Sequence, residues 1–356
     1  MLATLRRFEP RKNIPLVFLV GLLVPITIFF VVQLAKAPVV FVQTLMKALA
    51  LGSVYAIVAL GFVLIFKATR TINFSQGALA MSGALFMSFL VADEHIPFTT
   101  VDNPIMKLGG PFWVRWFLCA IVALAFAALL GLVIERLAIR PMVGEPLFSV
   151  AVITLGLEIV LRVFATDAVK IQFRSLEVPW GTDSFSVSGA TFNKSYVAAM
   201  ITAAIAFVAV YFFYRSRMGI AMRAVSYDQE AAMAQGINIG RVFAIAWAAG
   251  AVLATLGGIF ATQPPIKQTG AVDADVAFVA FRALPAVILG GLDSVQGALL
   301  GGLTIGLAEI FAGQYLAGET AVLGAGYTLI VPYVVMIIGL LVKPYGMFGT
   351  PEVRRV

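Results

Sequence analysis

Between Leu51 and Phe66 the chain reads LGSVYAIVALGFVLIF, a run without a single charged residue. A strand of a transmembrane barrel would show short alternating polar and apolar positions, and this run is unbroken. Runs of the same kind recur from one end of the chain to the other. Hydrophobic residues make up 61% of the 356 positions and charged residues only 12%, with a mean hydropathy of +0.99. Soluble domains carry about 25% charged and about 45–50% apolar residues. Backbone groups surrounded by lipid must be satisfied within their own segment, which selects helices. The expected fold class is therefore all-α, a polytopic helical membrane protein.

Apolar runs bounded by charge or by Pro and Gly clusters give nine or ten spans. They are Ile14–Ala35, a stretch after Pro38 that ends at Phe66 and is expected to begin its span near Leu51, Ile72–Ala92 and Phe112–Leu137. Leu147–Ala165, Tyr196–Tyr214, Val242–Thr262, Val276–Leu292, Gly297–Ala312 and Gly326–Val342 complete the set. Arg6, Arg7, Arg11 and Lys12 precede the first run, and Ala35-Lys36-Ala37 resembles a small-residue cleavage site. At about 22 residues, however, the run exceeds the apolar core of a secretion signal, so it reads as a retained anchor. The chain then divides into a basic segment with an extra anchor (1–40), a transmembrane body (41–349) containing an inner loop (215–241), and a short tail (350–356).

Charge sets the orientation. With ten spans and an inside N-terminus, one side collects Arg6, Arg7, Arg11, Lys12, Lys67, Arg70, Arg136, Arg140, Arg215, Arg217, Arg223, Arg241, Lys343, Arg354 and Arg355. The opposite loops mix signs, as in Asp93, Glu94, Asp102 and Lys107. Basic residues concentrate on the cytoplasmic side of membrane proteins, so both termini are expected inside. The same pattern accounts for the net charge of +7 without nucleic acid, because the basic residues flank apolar spans. One cysteine (Cys119) and one histidine (His95) exclude an internal disulfide framework and argue against a Cys/His-ligated metal or haem centre. Gly-Lys never occurs, so the phosphate-cradling GxxxxGK[ST] loop is missing. If ATP drives this protein, another chain binds it.

Polar residues inside apolar runs are the candidate functional positions, since such groups normally line cavities or interfaces. Asn73-Phe74-Ser75-Gln76-Gly77 is a polar interruption entering an apolar run: Asn73 suits an N-cap and Gly77 permits close backbone approach. Gln76-Gly77-Ala78-Leu79 recurs as Gln296-Gly297-Ala298-Leu299, each after a polar turn. Glu158 and Arg162 are spaced to pair on one helix face. Arg115, Arg282 and Glu309 stand singly in or near spans, and the last two are candidate pathway or partner charges. Gly297, Gly301, Gly302 and Gly306 have the spacing that lets helices pack closely in lipid. Trp180, Tyr196, Tyr211 and Tyr214 fall where interfacial aromatics are expected. Two loops are long: the outer Thr166–Ser195 and the charged inner Arg215–Arg241, whose alanine-rich centre favours a short helix along the membrane surface.

That inner loop carries Glu230-Ala231-Ala232-Met233-Ala234-Gln235-Gly236, which resembles the EAA-x-x-x-G loop of ABC-importer permeases. Asn238-Ile239-Gly240-Arg241 departs from the Ile-x-Leu-Pro ending of many such loops. Four further stretches, in order, are similar to the permeases of branched-chain amino acid ABC importers. They are Gly52-Ser53-Val54-Tyr55-Ala56 with Leu60-Gly61, Thr71 to Ala78, Ala286 to Leu292, and Val342 to Gly349. The likeness runs from Phe41 to Gly349.

The resemblance implies an ABC-importer permease fold with broken helices in a bacterial inner membrane, and no covalent chemistry on this chain. It implies coupling through Glu230, Ala231, Ala232 and Gly236, and a path past Asn73–Gly77 for branched-chain amino acids or a related amide or urea. The partners implied are a second permease, two cytoplasmic ATPase subunits holding ATP and magnesium, and an extracytoplasmic solute-binding protein. A sugar-type permease, a self-contained secondary transporter and an integral membrane enzyme are the alternatives that the residues leave open.

Overall fold

A computed structural model describes residues 24–92, 102–169, 174–181, 183–267, 270–324 and 326–350. Arg6, Arg7, Arg11, Lys12, Asp93, Glu94, His95, Arg354 and Arg355, the first half of Ile14–Ala35 and most of the 350–356 tail lie outside the described residues. Nine helices match expected spans: α1 (Val24–Lys36), α2 (Pro38–Thr69), α3 (Gln76–Ala92), α4 (Phe112–Ile134), α5 (Leu147–Val169), α6 (Lys194–Arg215), then α9, α11 and α13. These last three are Ile239–Ala261, Val295–Tyr315 and Tyr327–Val342. Six of the nine are long and apolar enough to cross a membrane.

The centre of the bundle is α2. Its most apolar window is 89% buried, and α11, α9, α6 and α10 (Val279–Gly290) surround it. Small residues make this possible. Gly302 and Gly306 of α11 lie directly on the α2 backbone at Ala56 and Gly52, and Gly257 of α9 lies on Val58. With no hydrophobic drive between helices inside lipid, such close backbone contact supplies the attraction.

Three expectations need correction. The helix containing residues 51–66 begins at Pro38, not near Leu51, because no breaker lies between them and Pro is well tolerated at a first helical turn. At Ala37 the chain reverses: the rings of Phe30 and Phe41 are 5.8 Å apart, whereas eleven residues along one helix would separate them by about 16 Å. Val276–Leu292 is not a simple span. It is a 3₁₀ turn (Ala274–Phe278) followed by α10, which at 12 residues with Pro285 inside is too short to cross. The inner loop holds two helices rather than one, α7 (Arg217–Tyr227) and α8 (Gln229–Ala234), because Ser216 and Asp228 each cap a helix start. A one-turn helix, α12 (Thr320–Leu323), precedes α13.

The outer connection after α5 is partly ordered by two short antiparallel ladders. β1 (Arg174–Ser175) pairs with β4 (Ala271–Val272), and β2 (Ser184–Val187) pairs with β3 (Ala190–Asn193). Trp180 is part of this packing rather than a free interfacial ring. It stacks on Phe260 at 5.8 Å, and its indole N–H donates to Ser195 Oγ at 3.0 Å. Tyr214 is buried, with Lys67 Nζ 4.7 Å from its ring centroid.

Candidate functional site

The polar interruption after α2 folds into a buried, self-satisfied turn. Asn73 Oδ1 accepts from the Ser75 amide at 3.1 Å and from Ser75 Oγ at 2.6 Å, while Asn73 Nδ2 donates to Gln76 Oε1 at 3.1 Å. Gln76 starts α3, and its Nε2 donates to the Gly250 carbonyl of α9 at 3.2 Å. The amide group fits only because Gly61 of α2 lacks a side chain at that point: a β-carbon there would collide with it. From α5, Thr154 Oγ1 accepts from the Phe74 amide at 3.1 Å. Gly77 lies on the carbonyl of Ala277, just ahead of α10. Asn73, Ser75 and Gln76 are buried and Phe74 is half-buried. The turn is thus one point where α2, α3, α5, α9 and the approach to α10 meet.

The repeat of Gln76–Leu79 at Gln296–Leu299 has a structural counterpart. Gly297, in the first turn of α11, lies on the carbonyl of Gly290, the last residue of α10, as Gly77 lies on Ala277 ahead of it. Ser294 caps α11 by accepting from the Gly297 amide at 3.0 Å. Two of the sequence motifs prove to be one structure. The Met347 and Phe348 amides donate to the Leu289 and Gly290 carbonyls at 2.8 and 2.9 Å, which folds the tail onto the α10–α11 junction.

Arg282 and Glu309, singled out separately in the sequence, share one polar cluster. The Tyr55 hydroxyl of α2 donates to Glu309 Oε2 at 2.8 Å, and the Arg282 guanidinium lies within electrostatic reach of both. Tyr55 is fully buried and Glu309 nearly so. The Glu158–Arg162 pair also forms, at 3.0 Å. Among the described residues, no group of three or more His, Cys, Asp or Glu side chains is placed to hold a metal.

The inner loop is organised differently. Asp228 Oδ1 accepts from the Ala231 amide at 3.0 Å and starts α8. Gly236, at φ +79°, stops it: its amide donates to Met233 O at 2.8 Å, and the Ile237 amide donates to Ala232 O at 3.0 Å. This paired arrangement is the Schellman ending, in which the left-handed residue is preferentially glycine. Only Ala232 of α8 is buried; Glu230, Ala231, Met233, Gln235 and Gly236 are exposed, and neighbouring Tyr227 is 86% exposed. The helix stands out from the bundle as a short, doubly capped, small-residue surface with a carboxylate at its start. Residues that sequence reasoning passed over are Thr154 and Gly250, which complete the buried turn, and Tyr55, which was quoted in a motif without a role.

Comparison with known proteins covers most of this architecture. Residues 44–340 match the family described as branched-chain amino acid transport system / permease component. The chain is 30% identical over 325 residues to the high-affinity branched-chain amino acid transport system permease protein LivH of Escherichia coli. That match covers 89% of this chain and 98% of the relative. BraD, the corresponding permease protein of Pseudomonas aeruginosa, is 30% identical over 327 residues, covering 89% of this chain and 98% of the relative. A probable branched-chain amino acid transport permease protein of Methanocaldococcus jannaschii is 26% identical over 319 residues, covering 85% and 90%.

Proposed function

This chain belongs to the family of branched-chain amino acid transport permeases, and from that membership we propose that it forms the passage for a branched-chain amino acid or a related small polar solute in an ATP-driven importer. It sits in the inner membrane with both termini on the cytoplasmic side. A second permease completes the passage, two ATPase subunits bind ATP and magnesium, and an extracytoplasmic binding protein delivers the solute.

The observation that carries this reading is the exposure of α8. A helix of six residues is far too short to be stable alone in water, yet both of its ends are fixed by caps and nearly all of its surface is left uncovered. That is the expected state of an element built to dock on another protein. Glu230 offers a charge, Ala231 and Ala232 permit close approach, and Gly236 fixes the exit. The Asn73–Gly77 turn supplies the break in the helices beside the passage, as transporters place irregular backbone where it lines a cavity. Its polar side chains are occupied by the chain itself, so on this reading the turn shapes the path, with Arg282 and Glu309 as its charged neighbours. The sugar-type permease and the self-contained transporter have no comparable support in this chain.

Reconstitution in liposomes tests the proposal. Uptake should require the ATPase partner and ATP. Glu230→Arg should abolish it while the bundle stays folded, and so should Gly236→Pro, because proline fixes φ near −65° where the chain needs +79°. Uptake by this chain alone under an ion gradient would refute the reading.

A further inference from the structure

Two arginines reach backbone carbonyls on either flank of α8. Upstream, Arg70 Nε donates to the carbonyl of Ser226 at 2.8 Å, near the end of α7 and two residues before Asp228 caps α8. Downstream, Arg140 Nη2 donates to the carbonyl of Gly240 at 3.1 Å, in the first turn of α9. Arg140 is itself held by Glu135, at 3.0 and 2.9 Å, across a π-helical turn that ends α4 (Glu135–Ile139).

Arg70 sits in an unfavourable place for its type. Its backbone is left-handed, φ +58° and ψ +16°, at the C-cap of α2. Glycine is the residue such caps prefer, and a side chain there costs free energy. The turn alone does not call for arginine. What an arginine adds is a guanidinium that reaches Ser226. Only Thr71 and Ile72 separate it from Asn73, and the stretch is tied at both ends: Thr71 Oγ1 donates to the Thr69 carbonyl, and the Phe74 amide donates to Thr154 Oγ1 of α5.

We propose that Arg70 is a positioning residue that carries displacement of α8 to the Asn73–Gly77 turn, while Arg140 holds the α9 end of the same loop against α4. α8 has little attachment of its own, so a load on it passes to α7 and α9. α7 packs on α2, α6 and α9, and its last turn is tied through Arg70 to the junction where α2, α3, α5, α9 and the approach to α10 converge. A small shift at Ser226 therefore reaches five elements at once. The inference rests on α8 being the docking element for the ATPase.

The test uses the assembled importer in proteoliposomes, with solute uptake and ATP hydrolysis measured on the same samples. Arg70→Gly keeps the left-handed turn and removes the guanidinium. The complex should assemble and hydrolyse ATP at close to the parent rate, while uptake per ATP falls by about tenfold, the scale of a typical coupling between two sites. Arg70→Lys, which retains a cationic donor group on a long stem, should recover part of the loss. An unchanged ratio in Arg70→Gly overturns the proposal. Glu230→Arg is run beside it: if that variant stops uptake and Arg70→Gly does not, the link is wrong and the docking role stands. If neither changes uptake, the docking role is wrong as well. Should Arg70→Gly fail to assemble, Arg70→Asn, which also tolerates the turn, replaces it. Failure of both overturns the proposal, since the residue is then needed for folding and not for coupling.

Discussion

Removing the Tyr55 hydroxyl is a sharp test of the buried cluster, because Tyr55→Phe keeps the ring and deletes one donor. The bond to Glu309 is 2.8 Å long, and the tyrosine that makes it is fully buried. Hydrogen bonds to charged groups are worth about 1.5–3 kcal/mol in soluble proteins. Side-chain bonds between membrane helices average about 0.6 kcal/mol and reach about 1.7, because the unfolded chain in lipid also finds partners. A short, buried bond to a carboxylate belongs near the upper membrane figure, so Tyr55→Phe should cost about 1.5 kcal/mol. Glu309→Leu breaks the same bond from the other side: it leaves the buried Tyr55 hydroxyl without its acceptor, and stranding a buried donor costs about 1–3 kcal/mol. Because both changes break the same bond, the double variant should fall short of the sum of the single effects by about 1 kcal/mol. Reversible unfolding in mixed micelles, followed by circular dichroism for all three variants, gives these differences. Strictly additive effects would refute the pairing of Tyr55 with Glu309.

Two other packing features give expected outcomes. Gly302→Leu places a side chain against the α2 backbone at Ala56 and should cost several kcal/mol, with loss of folded yield on size exclusion, whereas a leucine at exposed Gly318 should leave the yield unchanged. Arg140→Ala leaves Glu135, 1% exposed, without its partner. The arginine is about a third exposed, which discounts the full buried-pair cost, so thermal unfolding should reveal a loss of about 2 kcal/mol that Arg140→Ala with Glu135→Leu partly regains.

The helices were legible because a lipid-embedded span needs length and apolarity, and little in their interiors interrupts either. Ten elements fall where the apolar runs place them, including the short α10 that the sequence presents as an ordinary span. Depth was less legible than position. Pro285 and the Gly290–Gly291 pair hint that Val276–Leu292 is broken, but hydropathy alone does not distinguish a helix that crosses from one packed inside the bundle. The start of α2 was misplaced for a related reason: Lys47 looks like a boundary, yet a lysine tolerates a helix interior and the backbone continues through it.

The candidate site shows a sharper limit. Sequence reasoning found the donors Asn73, Ser75 and Gln76, the separate charges Arg282 and Glu309, and the loop ending at Gly236. It did not find what answers them, and the reason is chemical. Gln76 is met by the carbonyl of Gly250, Arg70 by that of Ser226 and Arg140 by that of Gly240. Every residue carries a carbonyl, so an acceptor of this kind leaves no side-chain signature. The trace it does leave is negative: Gly61 marks where the Gln76 amide comes too close for a β-carbon, and at Gly240 the Arg140 guanidinium leaves a β-carbon little room. In a bundle whose helices touch backbone to backbone, polar partners are therefore better sought among the small residues than among the polar ones. The Gly61–Gln76 contact is the case in point, since the polar residue was visible and the glycine facing it decided where it could go.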